Sequence, residues 1–194
     1  TPTFQWEASS GAVNYRLVID NDPNFADGEN VYDNENLGNI TSFTLPSENS
    51  LPDGVYYWRV QAENSDGEVW SNESFMFRVD TVAPSPPVLS WPAEGDNLND
   101  NTPNLDWSPP TENSYPLVFH VQVSKGPYFA DENLVDNVLV LDDNFVTSSL
   151  ADNVYYWCVR ARDNAGNWGA YPNKRSFRVD TVRPLSTVLS SPEN

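Results

Sequence analysis

The sequence lacks several residue types on which common functional classes depend. It has one cysteine and one histidine in 194 residues. A single cysteine excludes an internal disulfide and a zinc site built from cysteines. Basic residues are also scarce, because 10 lysines and arginines stand against 28 acidic residues, for a net charge of −18. An acidic surface of this kind repels nucleic acid, so no nucleic-acid partner is expected.

Long apolar runs and helix signals are missing as well. No run approaches the roughly 18 residues that a membrane helix needs, so direct membrane insertion is not expected. Instead, 16 prolines and 9 glycines separate short apolar runs rich in Val, Tyr, Trp, Phe and Leu. These runs alternate with period two and therefore predict β-strands. Seven short strands with turn signals between them indicate a β-sandwich.

One module is present twice in the chain. The segment Phe77–Pro84 returns 100 residues later as Phe177–Pro184, and Tyr56–Trp58 returns as Tyr155–Trp157. A period of this length indicates tandem domains rather than a short solenoid repeat. Each repeat is close to the size at which a domain can carry its own core.

These repeats predict the domain limits. The first repeat covers residues 1–84 and lacks the first strand, the second covers 85–184, and residues 185–194 form a tail. The tail repeats the segment that opens the second repeat. It is therefore either the start of a third repeat or a strand that completes the first repeat of a neighbouring molecule by strand-swapped self-association.

Alternation along the strands predicts which side chains form the cores. In the second repeat, the strands are predicted at Val88–Trp91, Asn104–Ser108, Leu117–Ser124, Val138–Leu141, Asn144–Ser149, Val154–Asp163 and Lys174–Asp180. Side chains two apart share a face of a strand. The inward phase then contains the core tryptophans Trp6, Trp58, Trp107 and Trp157, and the outward phase contains Tyr57, Arg59, Gln61 and Cys158.

The chain resembles the fibronectin type III superfamily. The resemblance is carried by the early tryptophans Trp6 and Trp107, by the two Tyr-x-Trp-x-Val-x-Ala strands, and by Gly67 and Gly166 after them. The closing Phe-Arg-Val-Asp-Thr-Val-x-Pro resembles the variant found in long arrays on secreted and surface-anchored bacterial and archaeal proteins. It implies an all-β fold of two tandem seven-stranded sandwiches of fibronectin type III or immunoglobulin-like type.

The same resemblance implies a non-catalytic, extracellular role as a spacer or adhesion module pair. The implied partners are other repeats of the same chain and protein or carbohydrate at a cell surface. Asp80–Pro87, which joins the repeats, contains three prolines. It predicts an extended, semi-rigid linker and limited bending.

Recurring outward aromatics suggest a second function. Trp70, Trp168, Tyr57 and Tyr156 could stack sugars, which would make the chain a carbohydrate-binding or accessory module of a secreted enzyme. The alternative is structural: Trp70 packs against Arg59, and Trp168 against Arg160 or Arg162, as cation–π contacts.

Acidic residues near the linker suggest a third function. Asp80, Asp96 and Asp100 could bind calcium, the one cofactor considered, and stiffen an adhesin stalk. Asp20–Asn24 begins like an EF-hand loop but fails, because Phe25 stands at the glycine position. The alternative interpretation is a set of turns in which Asp and Asn side chains bond their own backbone.

No catalytic constellation is expected. Cys158 and His120 both lie on outward positions of neighbouring strands, so a Cys–His pair is geometrically conceivable. The first repeat, however, has arginine at both positions (Arg59 and Arg16), so the scaffold does not require the pair.

Overall fold

The computed structural model describes residues 2–26, 28–111 and 115–188. The chain divides into two units, unit 1 (Thr1–Thr81) and unit 2 (Val82–Asn194). This division lies close to the predicted boundary after Pro84, and the predicted repeat limits themselves stay a prediction. Tail residues 189–194 lie outside the described residues.

The described residues of unit 1 form seven strands. They are β1 (Thr3–Gln5), β2 (Asn14–Asp20), β3 (Tyr32–Asn34), β4 (Ser42–Thr44), β5 (Gly54–Asn64), β6 (Gly67–Trp70) and β7 (Phe75–Val79), with a 3₁₀ turn at Ser47–Asn49. Strands β1 and β4 pair in one sheet, and the second sheet has the order β3-β2-β5-β6. Strand β7 pairs with the first half of β5, whereas β6 pairs with its second half.

The described residues of unit 2 form eight strands. They are β8 (Val88–Trp91), β9 (Asp96–Leu98), β10 (Asn104–Ser108), β11 (Val118–Ser124), β12 (Leu134–Val140), β13 (Asn144–Val146), β14 (Asn153–Arg162) and β15 (Arg175–Val179), with a 3₁₀ turn at Asp131–Asn133. One sheet has the order β13-β10-β8, and the other has the order β12-β11-β14-β15-β9.

The all-β sandwich prediction is confirmed, and the strand limits differ in detail. Strand β12 begins at Leu134, earlier than the predicted Val138, because its whole length pairs with β11. Strand β13 ends at Val146 rather than Ser149. The parallel pairing of β9 with β15 was not predicted, since three residues among Asp and Asn carry too little alternation to indicate a strand.

Each unit has its own apolar core between its two sheets. In unit 2, Leu105 and Trp107 from one sheet meet Val121, Trp157 and Val159 from the other, each at most 3% exposed. In unit 1, the corresponding cluster contains Phe4, Tyr15, Leu17, Ile19, Leu45, Tyr56 and Val60.

The four predicted core tryptophans differ in burial. Trp107 and Trp157 are 3% and 0% exposed. Trp6 and Trp58 pack against the core of unit 1 but stay partly exposed. In unit 2, β8 lies against β10 beside Trp107, whereas the described residues of unit 1 include no strand at that position.

Candidate functional site

The outer face of the larger sheet in unit 2 gathers the polar and aromatic side chains that the sequence singled out. On this face, register places His120 opposite Arg160 and Gln122 opposite Cys158. Beyond β14, a single bridge between Arg162 and Trp168 brings the indole over the strand. Alternation along β11 and β14 therefore determines which side chains meet here.

Arginine and aromatic rings alternate in this cluster. The Arg160 guanidinium carbon lies 4.4 Å from the Trp168 ring centroid and 4.8 Å from that of Tyr171. Arg162 approaches Trp168 from a second direction, at 5.2 Å. Cation–π attraction of this kind stabilises the stack. These contacts agree with the interpretation that Trp168 packs against arginine. A sugar-stacking role for Trp168 stays a prediction.

His120 is held on both ring nitrogens. Its Nε2 is 2.5 Å from Asn137 Oδ1, and its Nδ1 is 2.8 Å from the Tyr171 hydroxyl. Because the Asn137 oxygen can only accept, Nε2–H donates to it. Burial raises the pKa of Tyr171, so its hydroxyl remains a donor.

The prediction that Cys158 is exposed is wrong. The residue is 4% exposed, and it lies at the base of a cleft that Phe129 and Tyr171 also line. Burial raises the pKa of its thiol to about 12. Its Sγ lies 4.0 Å from Gln122 Oε1, and His120 is bonded elsewhere. A thiol in this environment stays protonated and is a poor nucleophile.

A surface cleft of about 670 Å³ lies over Cys158. It is lined by Gln122, Pro127, Tyr128, Phe129, Cys158, Tyr171, Pro172, Asn173 and Lys174. The Tyr128 ring is 88% exposed. Lys174 Nζ donates to the Pro127 carbonyl at 2.8 Å and lies 5.7 Å from the Tyr128 ring centroid. The sequence interpretation missed Tyr128 and Tyr171, although the change from Arg59 to Cys158 could have indicated space at this position.

In unit 1, an arginine fills the equivalent space. The Arg59 guanidinium carbon lies 4.2 Å from the Trp70 ring centroid and 4.1 Å from that of Phe25. Burial lowers the pKa of Arg59. Phe25 corresponds to Phe129 of unit 2, and both have the same positive φ of 53°. The outer face of the sheet is thus filled by Arg59 in unit 1, whereas the shorter Cys158 leaves a cleft in unit 2.

Gln61 was predicted to face water, and it is buried at 3% exposure. It lies between Arg16 and Trp70 in the sheet register, so their side chains cover it. Arg16 is held in turn by a 2.6 Å ion pair with Asp33. That hydrogen-bonded arginine holds the pKa of Asp33 below its usual value.

The predicted aromatic platform is split along each long strand. Tyr57 lies opposite Met76, whereas Trp70 lies opposite Gln61, four residues further along β5. Four residues of strand span about 13 Å. In unit 2, Tyr156 lies opposite Ser176, and Trp168 bridges to Arg162. Neither tyrosine is therefore directly beside its tryptophan, and ligand binding by these four residues stays a prediction.

The acidic side chains near the linker are engaged in turns. Asp96 Oδ2 accepts from the Ala93 amide, and Asp100 Oδ1 accepts from the Thr102 amide, both at 2.8 Å. Asp80 lies just after β7 and is half-buried. Among residues 2–26, 28–111 and 115–188, no group of three or more histidine, cysteine or acidic side chains could hold a metal ion. Calcium binding stays a prediction.

The segment that begins like an EF-hand is a turn closed by its own side chains. Asp20 Oδ1 accepts from the Asp22 amide. Asp22 then accepts from the amides of Asn24 and Ala26 at 3.0 and 2.9 Å. These backbone donors hold the pKa of Asp22 below its usual value. The carboxylates here stabilise the loop that carries Phe25.

Comparisons with known proteins place the fold. No protein-family model matches the chain, and no curated protein matches its sequence. In the part of the chain that the structure describes, no helix is long and apolar enough to cross a membrane.

Solved structures match both units. The FN1–FN3 domains of chicken CNTN1 match over 91% of this chain and 61% of that chain, with a TM-score of 0.61 and 17% identity. The fibronectin(III)-like modules of Clostridium thermocellum CbhA match over 90% of this chain and 82% of that chain, with a TM-score of 0.50 and 12% identity. This chain thus spans about three fifths of the CNTN1 structure. At such identities the likeness shows the fold alone, and that fold is fibronectin type III-like.

Proposed function

We propose that this chain is a non-catalytic pair of extracellular spacer and adhesion modules of a larger secreted or surface protein. The observation that carries the proposal is a contrast between repeated and unrepeated positions. Inward positions of the long strand recur in both units, as Trp58 and Trp157 do, whereas some outward positions change, as from Arg59 to Cys158. A scaffold that keeps its core and changes its faces suits a module whose main task is to fold and to separate its neighbours.

The way in which the chain leaves each unit supports a spacer role. Thr81 donates its amide and hydroxyl to Asp53 Oδ1, both at 2.9 Å. Thr181 does the same with Asp152 Oδ1, at 3.0 and 2.8 Å. A repeated contact at the exit gives each unit the same outgoing chain direction. Prolines 84, 86 and 87 follow the first of these contacts and favour an extended linker.

Small-angle scattering tests the spacer role. If the linker limits bending, replacement of the exposed Pro86 by glycine should shorten the maximum dimension and broaden the distance distribution, with thermal unfolding as the folding control. Replacement by glycine of Pro109, which is exposed and lies outside the linker, serves as the matched variant. An unchanged distribution for the Pro86 variant would remove the support for a stiff spacer.

A second candidate function is carbohydrate binding at the cleft over Cys158. The observation that favours it is the exposed Tyr128 ring beside Tyr171, Asn173 and Lys174, which combine an aromatic surface with hydrogen-bond donors. Affinity electrophoresis with soluble glucan and xylan is the test. Tyr128→Ala should abolish retardation, and Leu141→Ala, at an exposed position outside the cleft, should not. No retardation of the unmodified chain by either polymer would contradict this function.

A further inference from the structure

Two surface clefts of unit 2 are similar in size and opposite in charge. One is the cleft over Cys158, with a volume of about 670 Å³. The second cleft has a volume of about 680 Å³ and is lined by Tyr115, Asp142 and Asp143, among others. The described residues that line the cleft over Cys158 include no acidic side chain, and Lys174 is the charged residue among them. Although the net charge of the chain is −18, this cleft can therefore accept an anionic ligand.

A second cation acts on the base of the cleft over Cys158. Arg160 follows Cys158 by two residues on β14, so both side chains lie on the outer face of the sheet, about 7 Å apart along the strand. Burial raises the pKa of the Cys158 thiol to about 12, and the charges of Arg160 and Lys174 act against this rise. At physiological ionic strength, charges more than about 8 Å away are largely screened. The two nearby cations, rather than the net charge of the chain, therefore determine which ligand charge the cleft favours.

The ammonium group of Lys174 is already held in place. Its Nζ donates to the Pro127 carbonyl at 2.8 Å. An ammonium group has three N–H donors, so two remain for a ligand. Among the described residues, no acidic side chain forms an ion pair with Lys174. Binding of an anion therefore requires little further ordering of this side chain, which favours affinity.

The exposed ring of Tyr128 can place a sugar beside this ammonium group. The ring is 88% exposed, and Lys174 Nζ lies over it, 5.7 Å from the centroid. A sugar in van der Waals contact with the ring lies about 4 Å from it. A carboxylate carried by that sugar then comes within hydrogen-bond reach of Nζ. Tyr115 of the second cleft is also exposed, but Asp142 and Asp143 line the same cleft and repel a carboxylate.

We propose that the cleft over Cys158 selects glycans that carry carboxylate groups, such as chains that contain uronic acids. The sugar ring stacks on Tyr128, and its carboxylate accepts from the remaining N–H donors of Lys174. Neutral glycans stack on the same ring without this ion pair and therefore bind more weakly. This selectivity rests on the carbohydrate-binding function proposed for the cleft, and it adds the charge of the ligand.

Isothermal titration calorimetry at physiological ionic strength tests this selectivity. The two probes are a xylo-oligosaccharide that carries one glucuronic acid and the methyl ester of the same compound, which is similar in size and has no charge. The acid should bind the unmodified chain roughly two- to fivefold more tightly than the ester, the gain expected from one solvated ion pair. Equal affinities would overturn the selectivity and leave the carbohydrate function in place, whereas no binding of either probe would contradict both.

Two lysine variants test the assignment to the cleft. Lys174→Gln should bind the acid and the ester equally, at the affinity that the ester has for the unmodified chain. Lys125→Gln is the matched control, because Lys125 is exposed and does not line the cleft, and it should keep the preference for the acid. Tyr128→Ala should lose both probes, and thermal unfolding verifies that each variant is folded. A preference that survives in Lys174→Gln, or that both lysine variants lose equally, would overturn the role of Lys174.

Discussion

Units 1 and 2 share a scaffold, and they differ most where an arginine in one is a cysteine in the other. Arg59 lies between Phe25 and Trp70 and fills the outer face of its sheet. Cys158 is too short to do so, and a cleft remains above it. The side chain at an outward position can therefore differ between the units, because backbone pairing and the core stabilise the sheet beneath it.

The cores differ in a second way. In unit 2, β8 covers the side of the core at Trp107, and the tryptophans are buried. In unit 1, no strand of the described residues covers that side, and Trp6, Trp58 and Phe75 line a groove. Among the described residues, Trp107 and Trp157 are therefore more deeply buried than Trp6 and Trp58. Variants at matched positions of the two units test both differences.

The largest expected difference lies in the tryptophan cores. Trp157→Ala removes a fully buried ring, and such deletions cost about 3–5 kcal/mol in the free energy of unfolding. Trp58→Ala removes a partly exposed ring from the groove, so its cost should be roughly half of that. Calorimetry of each variant measures both losses, with Trp157→Phe as a milder variant if the alanine form does not fold. Equal losses would show that the groove does not weaken the packing of Trp58.

A smaller effect is expected where the linker enters unit 2. A Cβ on Gly169 would lie well inside van der Waals contact with the carbonyl oxygen of buried Pro84. Gly169→Ala should therefore destabilise unit 2 by about 1–3 kcal/mol through overpacking. Gly126→Ala is the matched control, since its Cβ meets only the Asn133 side chain at 3.4 Å. Urea unfolding compares them, and a neutral Gly169→Ala would mean that Pro84 yields without cost.

Removal of the arginine that fills the outer face of the sheet in unit 1 should lower the free energy of unfolding by a smaller amount. Arg59→Cys reproduces unit 2 chemistry in unit 1 and removes the contacts with Phe25 and Trp70. Cation–π contacts are worth about 0.5–1 kcal/mol each near a surface, so a loss of about 1–2 kcal/mol is expected. Arg78→Cys, at an exposed position of β7, controls for the loss of charge. If both variants lose the same stability, the stacking around Arg59 contributes nothing.

The smallest effect is expected for the ion pair between Arg16 and Asp33 in unit 1. The corresponding positions of unit 2 hold His120 and Asn137. The folded pKa of Asp33 lies below its usual 3.8 because Arg16 donates to it. Its stabilisation is therefore present above pH 3.8 and is lost as the pH falls through the lower folded pKa. Asp33→Asn should cost about 0.5–1 kcal/mol at neutral pH, since the pair is partly solvated, and the difference should vanish in acid.

Thermal unfolding of unit 1 across this pH range measures the effect. Glu48→Gln, in the exposed 3₁₀ turn, removes one negative charge without an ion pair and should show no such pH-dependent loss. A constant difference between Asp33→Asn and the unmodified chain at all pH values would contradict the ion-pair explanation.

Much of the fold could be predicted from strand periodicity. The limits of β8 and β10 agree with the alternation in their sequences, because each strand contributes one face to a core. Strand β9 could not be found this way, since its pairing with β15 depends on a distant edge. The burial of Gln61 and Cys158 could not be predicted either, because alternation along a strand does not indicate which loop or indole covers an outward face.

The sequence alone was enough to predict the all-β sandwich fold, since period-two alternation decides which side chains enter a core. It also marked Arg59 and Cys158 as the point of difference between the repeats. The packing of Arg59 against Phe25 and Trp70, and the cleft over Cys158, became visible only in the folded structure. These features arise from contacts between residues far apart in the chain, and local periodicity carries no information about such contacts.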